Sequence, residues 1–375
     1  MEPFKNLINA QTVRACGHHL ARGWPRFDRD RFESLGLAGL SELEFKARAE
    51  HLCTALEATL PKDFAKAADI LEASLGPADT GEDPKSQRTS AAGLAGWAVW
   101  PLTAFVARNG LDSPRRALQA LHAMTQRFSA EFAIRPFIAQ HPELSFELLE
   151  QWARDPNPRV RRLVSEGSRP RLPWGLQLKA LIADPRPTLP LLAALQDDTS
   201  DYVRRSVANH LNDIAKDHPA LVVGWVEQHL PRAPAQRTAL LKHASRTLIK
   251  QGHTPMLKLW GVAQRLRGEV QLTLSKRRAS VGESLELRLR LSSSAPRAQK
   301  LAIDYAVHHV KANGQTTPKI FKGWKLELAG HETRLLCKTH SLRPVTTRRY
   351  HAGRHRIEVR INGVAEASAD FELRT

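Results

Sequence analysis

Acidic side chains recur beside basic ones at helical spacing in this chain, and three such sets are candidates for chemistry. Arg162, Glu166 and Arg169 stand four and three residues apart, a spacing that puts side chains on one face of an α-helix. An earlier helical segment offers Glu131 and Arg135, again four apart, and a later one sets Arg205, Asn209, Asn212 and Asp213 on an equivalent polar face. A wall that only held phosphates would gain nothing from carboxylates, which repel the same anion. Acids kept among arginines therefore imply that positive charge arrives or develops there. The competing reading is a set of solvated ion pairs, which contribute little. Trp174 ends the run Arg169-Pro-Arg-Leu-Pro-Trp174. After such a turn a Trp is either a plug between helices or a ring face offered to a cation or a base.

Other chemistries find less support. Cys337, His340, His351 and His355 have the spacing of a zinc quartet, but they fall on a strand, a loop and a strand, and structural sites of one Cys and three His are uncommon. A hairpin carrying His and Arg to a phosphate backbone fits this segment better. Trp97 and Trp100 lie in the most apolar helical stretch and read as core. No Gly-rich phosphate loop, nucleophile elbow or His-Glu-x-x-His motif is present, so phosphoryl transfer and serine hydrolysis lack machinery. No metal is expected, and nothing demands a cofactor.

The elements that must position these residues are written as a repeat. Asp155-Pro-Asn-Pro-Arg-Val-Arg-Arg-Leu-Val-Ser-Glu166 recurs as Asp198-Thr-Ser-Asp-Tyr-Val-Arg-Arg-Ser-Val-Ala-Asn209, with Val160 and Val203 43 residues apart. A period in the forties, with a turn signal opening a helix, reads as a HEAT or armadillo-like repeat. Such units bury their apolar faces only by stacking into a solenoid with a long groove. Val160, Leu163 and Val164 are expected inward on the first copy, Val203 and Val207 on the second. Helical periodicity extends to about Leu266, with helical pairs expected over 132–150, 160–183, 203–230 and 237–250, and Ser113-Pro114 opening another helix.

From Glu269 the period becomes two. Val270–Leu274, Leu285–Leu291, Leu301–Val307, Trp324–Leu328 and His355–Ile361 alternate, and Asn362-Gly363 turns the chain into a last strand over 366–373. Roughly seven short strands predict an immunoglobulin-like sandwich, with a domain boundary near Arg267-Gly268: residues 1–267 helical repeats, 268–375 sandwich. The 375 residues carry 56 Lys and Arg against 38 Asp and Glu, a net charge of +18. Residues 269–375 hold 20 basic against 10 acidic side chains, so the small domain is the more basic half for its size. Nucleic acid is the leading partner at this charge. A membrane is excluded as partner, because the sequence has neither a spanning apolar run nor a compact polybasic amphipathic helix. Three scattered cysteines and an N-terminus without a secretory pattern point to a reducing, cytoplasmic setting.

The stretches Glu131-Phe-Ala-Ile-Arg-Pro-Phe137, Arg159-Val-Arg-Arg-Leu-Val-Ser-Glu-Gly-Ser-Arg-Pro-Arg-Leu-Pro-Trp174 and Val203-Arg-Arg-Ser-Val-Ala-Asn-His-Leu-Asn-Asp213 resemble the AlkC branch of the bacterial HEAT-like DNA alkylation repair glycosylases. The resemblance spans roughly residues 1–265, and a subset of that branch carries an added immunoglobulin-like domain. It implies excision of cationic alkylated bases from double-stranded DNA, chiefly 3-methyladenine with 3-methylcytosine as a second candidate, without a conventional base-flipping pocket. By matching motif, Glu131, Glu166, Asp213 and Trp174 are expected to line the lesion site. Arg162, Arg169, Arg171 and Arg205 are expected on backbone phosphates, with Arg135 and His210 also expected at DNA. Arg343, Arg348, Arg349 and Arg354 of the basic sandwich are expected to complete a clamp. A monomer at the bacterial nucleoid is the accompanying expectation. The rivals are a non-enzymatic nucleic-acid binder and a protein-interaction scaffold, which predict that the three acids, or the arginines, can be neutralised without loss.

Overall fold

The computed structural model describes residues 4–81, 87–261, 265–345 and 349–374. Helices α1 (Ala10–Gly23), α2 (Arg29–Leu37), α3 (Phe45–Thr59) and α4 (Phe64–Ala73) precede a long connection to α5 (Trp100–Asn109) and α6 (Pro114–Thr125). There follow α7 (Arg135–Gln140), α8 (Pro142–Trp152), α9 (Pro158–Gly167), α10 (Lys179–Ala183), α11 (Leu189–Leu195) and α12 (Asp201–Ile214). The last four are α13 (Pro219–His229), α14 (Ala235–Ala244), α15 (Arg246–Gln251) and α16 (Thr254–Leu259).

The duplicated sequence folds twice into the same local structure. Asp155 accepts from the Asn157 N–H at 2.8 Å and Asp198 from the Ser200 N–H at 2.9 Å. Asn157 and Ser200 then cap α9 and α12 through their own side chains, a contribution of about 1 kcal/mol each. Val160, Leu163 and Val164 of α9 and Val203 and Val207 of α12 are fully buried, as the apolar spacing requires, and α12 packs between α9 and α14. The arginine pairs divide by role. Arg161 folds back onto the carbonyls of Asp155 and Pro156, and Arg204 onto those of Asp198 and Thr199. Arg161 also forks onto Asp198, which opens the second copy, while among the described residues Arg162 and Arg205 make no such bonds to the turn carbonyls.

Two expected helices are shorter than the periodicity suggested. Residues 131–134 form a turn, and α7 starts only at Arg135, with Pro136 in its first turn. Glu131 therefore precedes a helix rather than sitting on one. Helix α9 stops at Gly167, because Pro170 and Pro173 cannot continue it, and residues 168–178 form a loop. Ser113 stands before α6 as expected, but its hydroxyl makes no capping bond.

Strands β1 (Gly268–Leu274), β2 (Arg278–Ser280), β3 (Ser284–Ser293), β4 (Gln299–Val310), β5 (Thr316–Leu328), β6 (Thr333–Ser341), β7 (Gly353–Ile361) and β8 (Val364–Arg374) make two sheets, ordered β1-β3-β6 and β2-β8-β7-β4-β5. Leu285, Leu287, Leu289 and Leu291 alternate inward from β3 and share a core with Ile357, Val359 and Ile361 of β7. Strand β6 lacked the alternating signal, since Thr333-Arg-Leu-Leu-Cys-Lys-Thr-His-Ser341 offers apolar neighbours instead. Cys337 and His340 on β6 face opposite sides, Cys337 exposed and His340 buried against the Tyr305 hydroxyl at 3.2 Å, so the strand separates two members of the suggested quartet. The chain forms two compact units, Met1–His218 with Arg232–Ala244, and Pro219–Pro231 with Ser245–Thr375. The switch from helix to strand falls at Gly268, while α13, α15 and α16 belong to the unit that holds the sandwich. There the turn at Asn362-Gly363 lies backbone to backbone with Gly252 at the end of α15. A Cβ on Gly252 would stand 2.4 Å from the Gly363 carbonyl.

Candidate nucleic-acid interface and active site

Glu131, Glu166 and Asp213 of the first compact unit are linked by arginines into one chain of ion pairs. Arg162 reaches Glu131 at 2.6 Å and Glu166 at 3.5 Å, Arg169 reaches Glu166 at 2.7 Å and Asp213 at 2.8 Å, and Lys216 reaches the other Asp213 oxygen at 2.7 Å. Three elements supply these groups: the turn before α7, the helix α9 with its following loop, and α12 with the turn that follows it. The side chains of Glu166 and Asp213 are 8% and 2% exposed, so the bland reading of a solvated helix face does not apply. Ion pairs at this depth carry a desolvation cost that only good geometry and further hydrogen bonds offset. Those bonds are present, with the Ser206 hydroxyl donating to Glu166 at 2.6 Å and Arg162 donating to the Ser129 hydroxyl at 2.7 Å. Tyr202 places its ring 5.0 Å from the Arg162 guanidinium. Burial pushes the Glu166 carboxyl upward, but Arg162, Arg169 and Ser206 outweigh it and hold the group below the usual range. It is a fixed anion at neutral pH.

Trp174 stands apart from this buried network in exposure, at 76%. Its backbone is left-handed, φ 66°, a conformation bulky residues seldom adopt. It borders a cavity of about 590 Å³ lined by Phe45, Trp100, Phe132 and Leu176 among others, where the Phe45 and Trp100 rings meet edge to face. An aromatic face, three anions and a set of arginines thus come from adjacent elements of one unit.

Comparisons with known proteins show the family of this fold. The profile of the DNA alkylation repair enzyme family matches residues 125–248, and that of the C-terminal Ig-like domain of the uncharacterised protein YhaZ matches residues 269–375. The uncharacterized protein YhaZ of Bacillus subtilis (strain 168) is 37% identical over 375 residues, the full length of both chains. The structure of the Pseudomonas fluorescens alkylpurine DNA glycosylase AlkC, bound to DNA containing an abasic site analog, superimposes with a TM-score of 0.88 at 34% identity over all of both chains. The chain belongs to the AlkC-like DNA alkylation repair family. In this AlkC-like protein the duplicated helices are thus a repair scaffold, and the sandwich is the family's YhaZ-type immunoglobulin-like domain.

The AlkC-like fold does not use every basic candidate as the sequence suggested. Arg135 is completely buried and donates to the carbonyls of Leu176, Gly167 and Pro170. It is not paired with Glu131 and has no surface to offer a phosphate, which corrects the expectation of a DNA contact. Burial drives its guanidinium down to about 10. His210 is also fully buried, its Nδ1 against the Ser165 carbonyl at 2.9 Å, and it too is withdrawn from DNA. Arg162 and Arg169 are mostly buried in the ion-pair chain. Arg171 pairs with Asp217 at 2.7 Å and remains partly exposed. Arg205 is 70% exposed and pairs with Asp201. Arg343, Arg349 and Arg354 are exposed in the other unit, Arg354 against Asp370, and Arg348 lies outside the described residues. No helix among the described residues is long and apolar enough to cross a membrane.

The sequence reading missed Ser129, Tyr202, Ser206 and Lys216. One signal was available: Ser206 occupies the slot that Leu163 fills in the first copy, and a polar side chain in an apolar repeat position asks for a partner. His210 supplies a test of the buried arrangement. Its Nε2 meets no partner among the described residues, and burial lowers its pKa from 6.5 to about 4. The unfolded chain binds this proton first, so the contribution is complete above about pH 6.5 and is lost as pH falls toward 4, about 3 kcal/mol in all. His210→Asn keeps a donor for the Ser165 carbonyl and is expected to flatten the fall in urea midpoint between pH 6.5 and 4. An unchanged slope would place that proton uptake elsewhere.

Proposed function

We propose that this protein is a monofunctional DNA glycosylase that removes cationic alkylated bases, chiefly 3-methyladenine and secondarily 3-methylcytosine, from duplex DNA. The observation that carries this reading is the linked set Glu131, Arg162, Glu166, Arg169 and Asp213, with Trp174 exposed on the loop that follows Arg169. The relationship to an alkylpurine glycosylase that binds abasic-site DNA supports it. A base methylated on a ring nitrogen already bears positive charge, so it leaves as a neutral molecule when the electron pair of the C1′–N bond departs with it, without prior protonation. The charge passes to the deoxyribose as an oxocarbenium-like species. Water adds to C1′ and loses a proton, leaving an abasic sugar.

Carboxylates fixed beside that sugar stabilise the developing charge more than they stabilise the ground state, and they orient the water. The arginines between them hold the acids ionised and in place, which a lone buried carboxylate would not achieve. Trp174 supplies its ring face to the cationic nucleotide. Arg171 and Arg205 serve the phosphates, as do Arg343, Arg349 and Arg354 of the sandwich unit, and the protein works as a monomer without a cofactor.

The test is to incubate the purified protein with methylated duplex and follow released base and abasic sites, lesion by lesion. Release of 3-methyladenine is expected; release of no base from any methylated duplex would leave a DNA-binding protein and overturn the glycosylase reading. Trp174→Ala is expected to slow release about tenfold. Because the ring is exposed, its melting temperature should stay close to that of the parent. A variant with parental rate would remove Trp174 from the site.

A further inference from the structure

We infer that Arg135 is a positioning residue for the lesion site, a buried guanidinium whose three carbonyl bonds fix the loop that carries Arg169 at one end and Trp174 at the other. The inference rests on the glycosylase reading for its effect on rate, and on geometry for its structural part. Arg135 opens α7 and is among the largest fully buried side chains of the protein. Its Nε donates to the Leu176 carbonyl, one terminal nitrogen to the Gly167 carbonyl at 2.8 Å, and the other to the Pro170 carbonyl at 3.4 Å. Those carbonyls bracket the segment: Gly167 is the last residue of α9, Pro170 follows Arg169, and Leu176 lies two residues beyond Trp174. One planar fork therefore ties the entry of the loop to its exit, a task that the point charge of a lysine cannot perform.

Trp174 needs such a support. Its ring is 76% exposed, so packing of the side chain does little to place it, and the backbone must do so. That backbone holds a left-handed φ of 66°, a conformation that persists only when its surroundings enforce it. The next residue, Gly175, lies directly over the arginine stem. A Cβ there would stand 3.3 Å from both Cδ and Nε of Arg135 and 3.2 Å from Leu172. The fit of Gly175 on Arg135 and the three carbonyl bonds are independent contacts with the same consequence. Neither involves DNA.

A double-mutant cycle on methylated duplex tests the inference, using the full-length protein with Arg135→Met, Trp174→Ala and the two combined. Arg135→Met is expected to slow single-turnover base release by up to about tenfold, as small displacements of a site group can, while affinity for undamaged duplex stays within about twofold. In the Trp174→Ala background the same change should cost little further, since the group it positions is gone. Arg135→Lys should recover only part of the rate. Gly175→Ala disturbs the same contact without removing a charge and should reproduce a weaker form of the defect; it decides the matter if Arg135→Met does not fold. With 5-fluorotryptophan incorporated, the fluorine resonance missing from Trp174→Ala identifies Trp174. That resonance should shift or broaden in Arg135→Met and in Gly175→Ala. A parental rate with an unmoved resonance, or losses that multiply in the double variant, would overturn the inference. Absence of base release by the parent protein would count against the glycosylase reading instead, with the fluorine signal still reporting on Arg135.

Discussion

Glu166→Gln is expected to lower the rate of base release by about a hundredfold to a thousandfold while leaving affinity for duplex DNA unchanged or slightly improved. The substitution keeps the shape of the side chain and removes only its charge. It also leaves each neighbouring arginine with an acid, Arg162 with Glu131 and Arg169 with Asp213. No guanidinium is stranded, and the fold should survive. A wall designed only to bind phosphate gains from losing an anion, whereas a site that stabilises a cationic sugar loses its reason to work. Single-turnover release from methylated duplex and fluorescence anisotropy on unmodified duplex separate the two effects. A variant that releases base at the parental rate would make Glu166 a structural group.

Arg169→Met is expected to have the largest effect on stability. Arg169 is the only bridge between Glu166 and Asp213 among the described residues, and all three side chains are less than 10% exposed. Removing one partner of a buried pair typically costs about 3 to 5 kcal/mol, because the remaining charge keeps its desolvation penalty. Here Ser206 still serves Glu166 and Lys216 still serves Asp213, which favours the lower end. For a unit of this size that corresponds to a fall in melting temperature of about 10 °C. The pH dependence follows from the same charges. Glu166 is depressed in the folded protein, so its contribution is present above the ordinary carboxylate range and is lost as pH falls through the folded value. The deficit of Arg169→Met relative to the parent should accordingly shrink on acidification. A deficit independent of pH would mean that lost packing, not stranded charge, is responsible.

The architecture was largely legible because both halves announce their period. Valines at 160 and 203 mark the repeat, and the leucines of β3 mark the sandwich. Glu166 and Asp213 were legible as candidates because they lie on the two matched helices, and Arg169 because it follows Glu166 at helical spacing, although it stands in the loop past the end of α9. What could not be read is direction. Arg135 sits four residues from Glu131 and looks like its partner, but Pro136 starts the helix too late for both to lie on it, and the guanidinium turns to three carbonyls instead. Asp213 was placed on a polar face and His210 at DNA, yet both are buried, one on cations and the other on a backbone oxygen. Charged residues enter interiors only where partners converge from distant segments. A partner such as Ser129, which meets Arg162 from 33 residues away, carries no periodic signal of its own.

The exchange of Leu163 for Ser206 between the two copies has a wider meaning for how a duplicated scaffold acquires a purpose. Averaging the copies toward a shared consensus, a common way to toughen repeat proteins, would restore leucine at 206 and give the interior a more regular filling. It would also withdraw the hydroxyl that completes the setting of Glu166. The asymmetry between otherwise matched helices is where specialisation has been inscribed, and a redesign guided by internal symmetry alone would erase it.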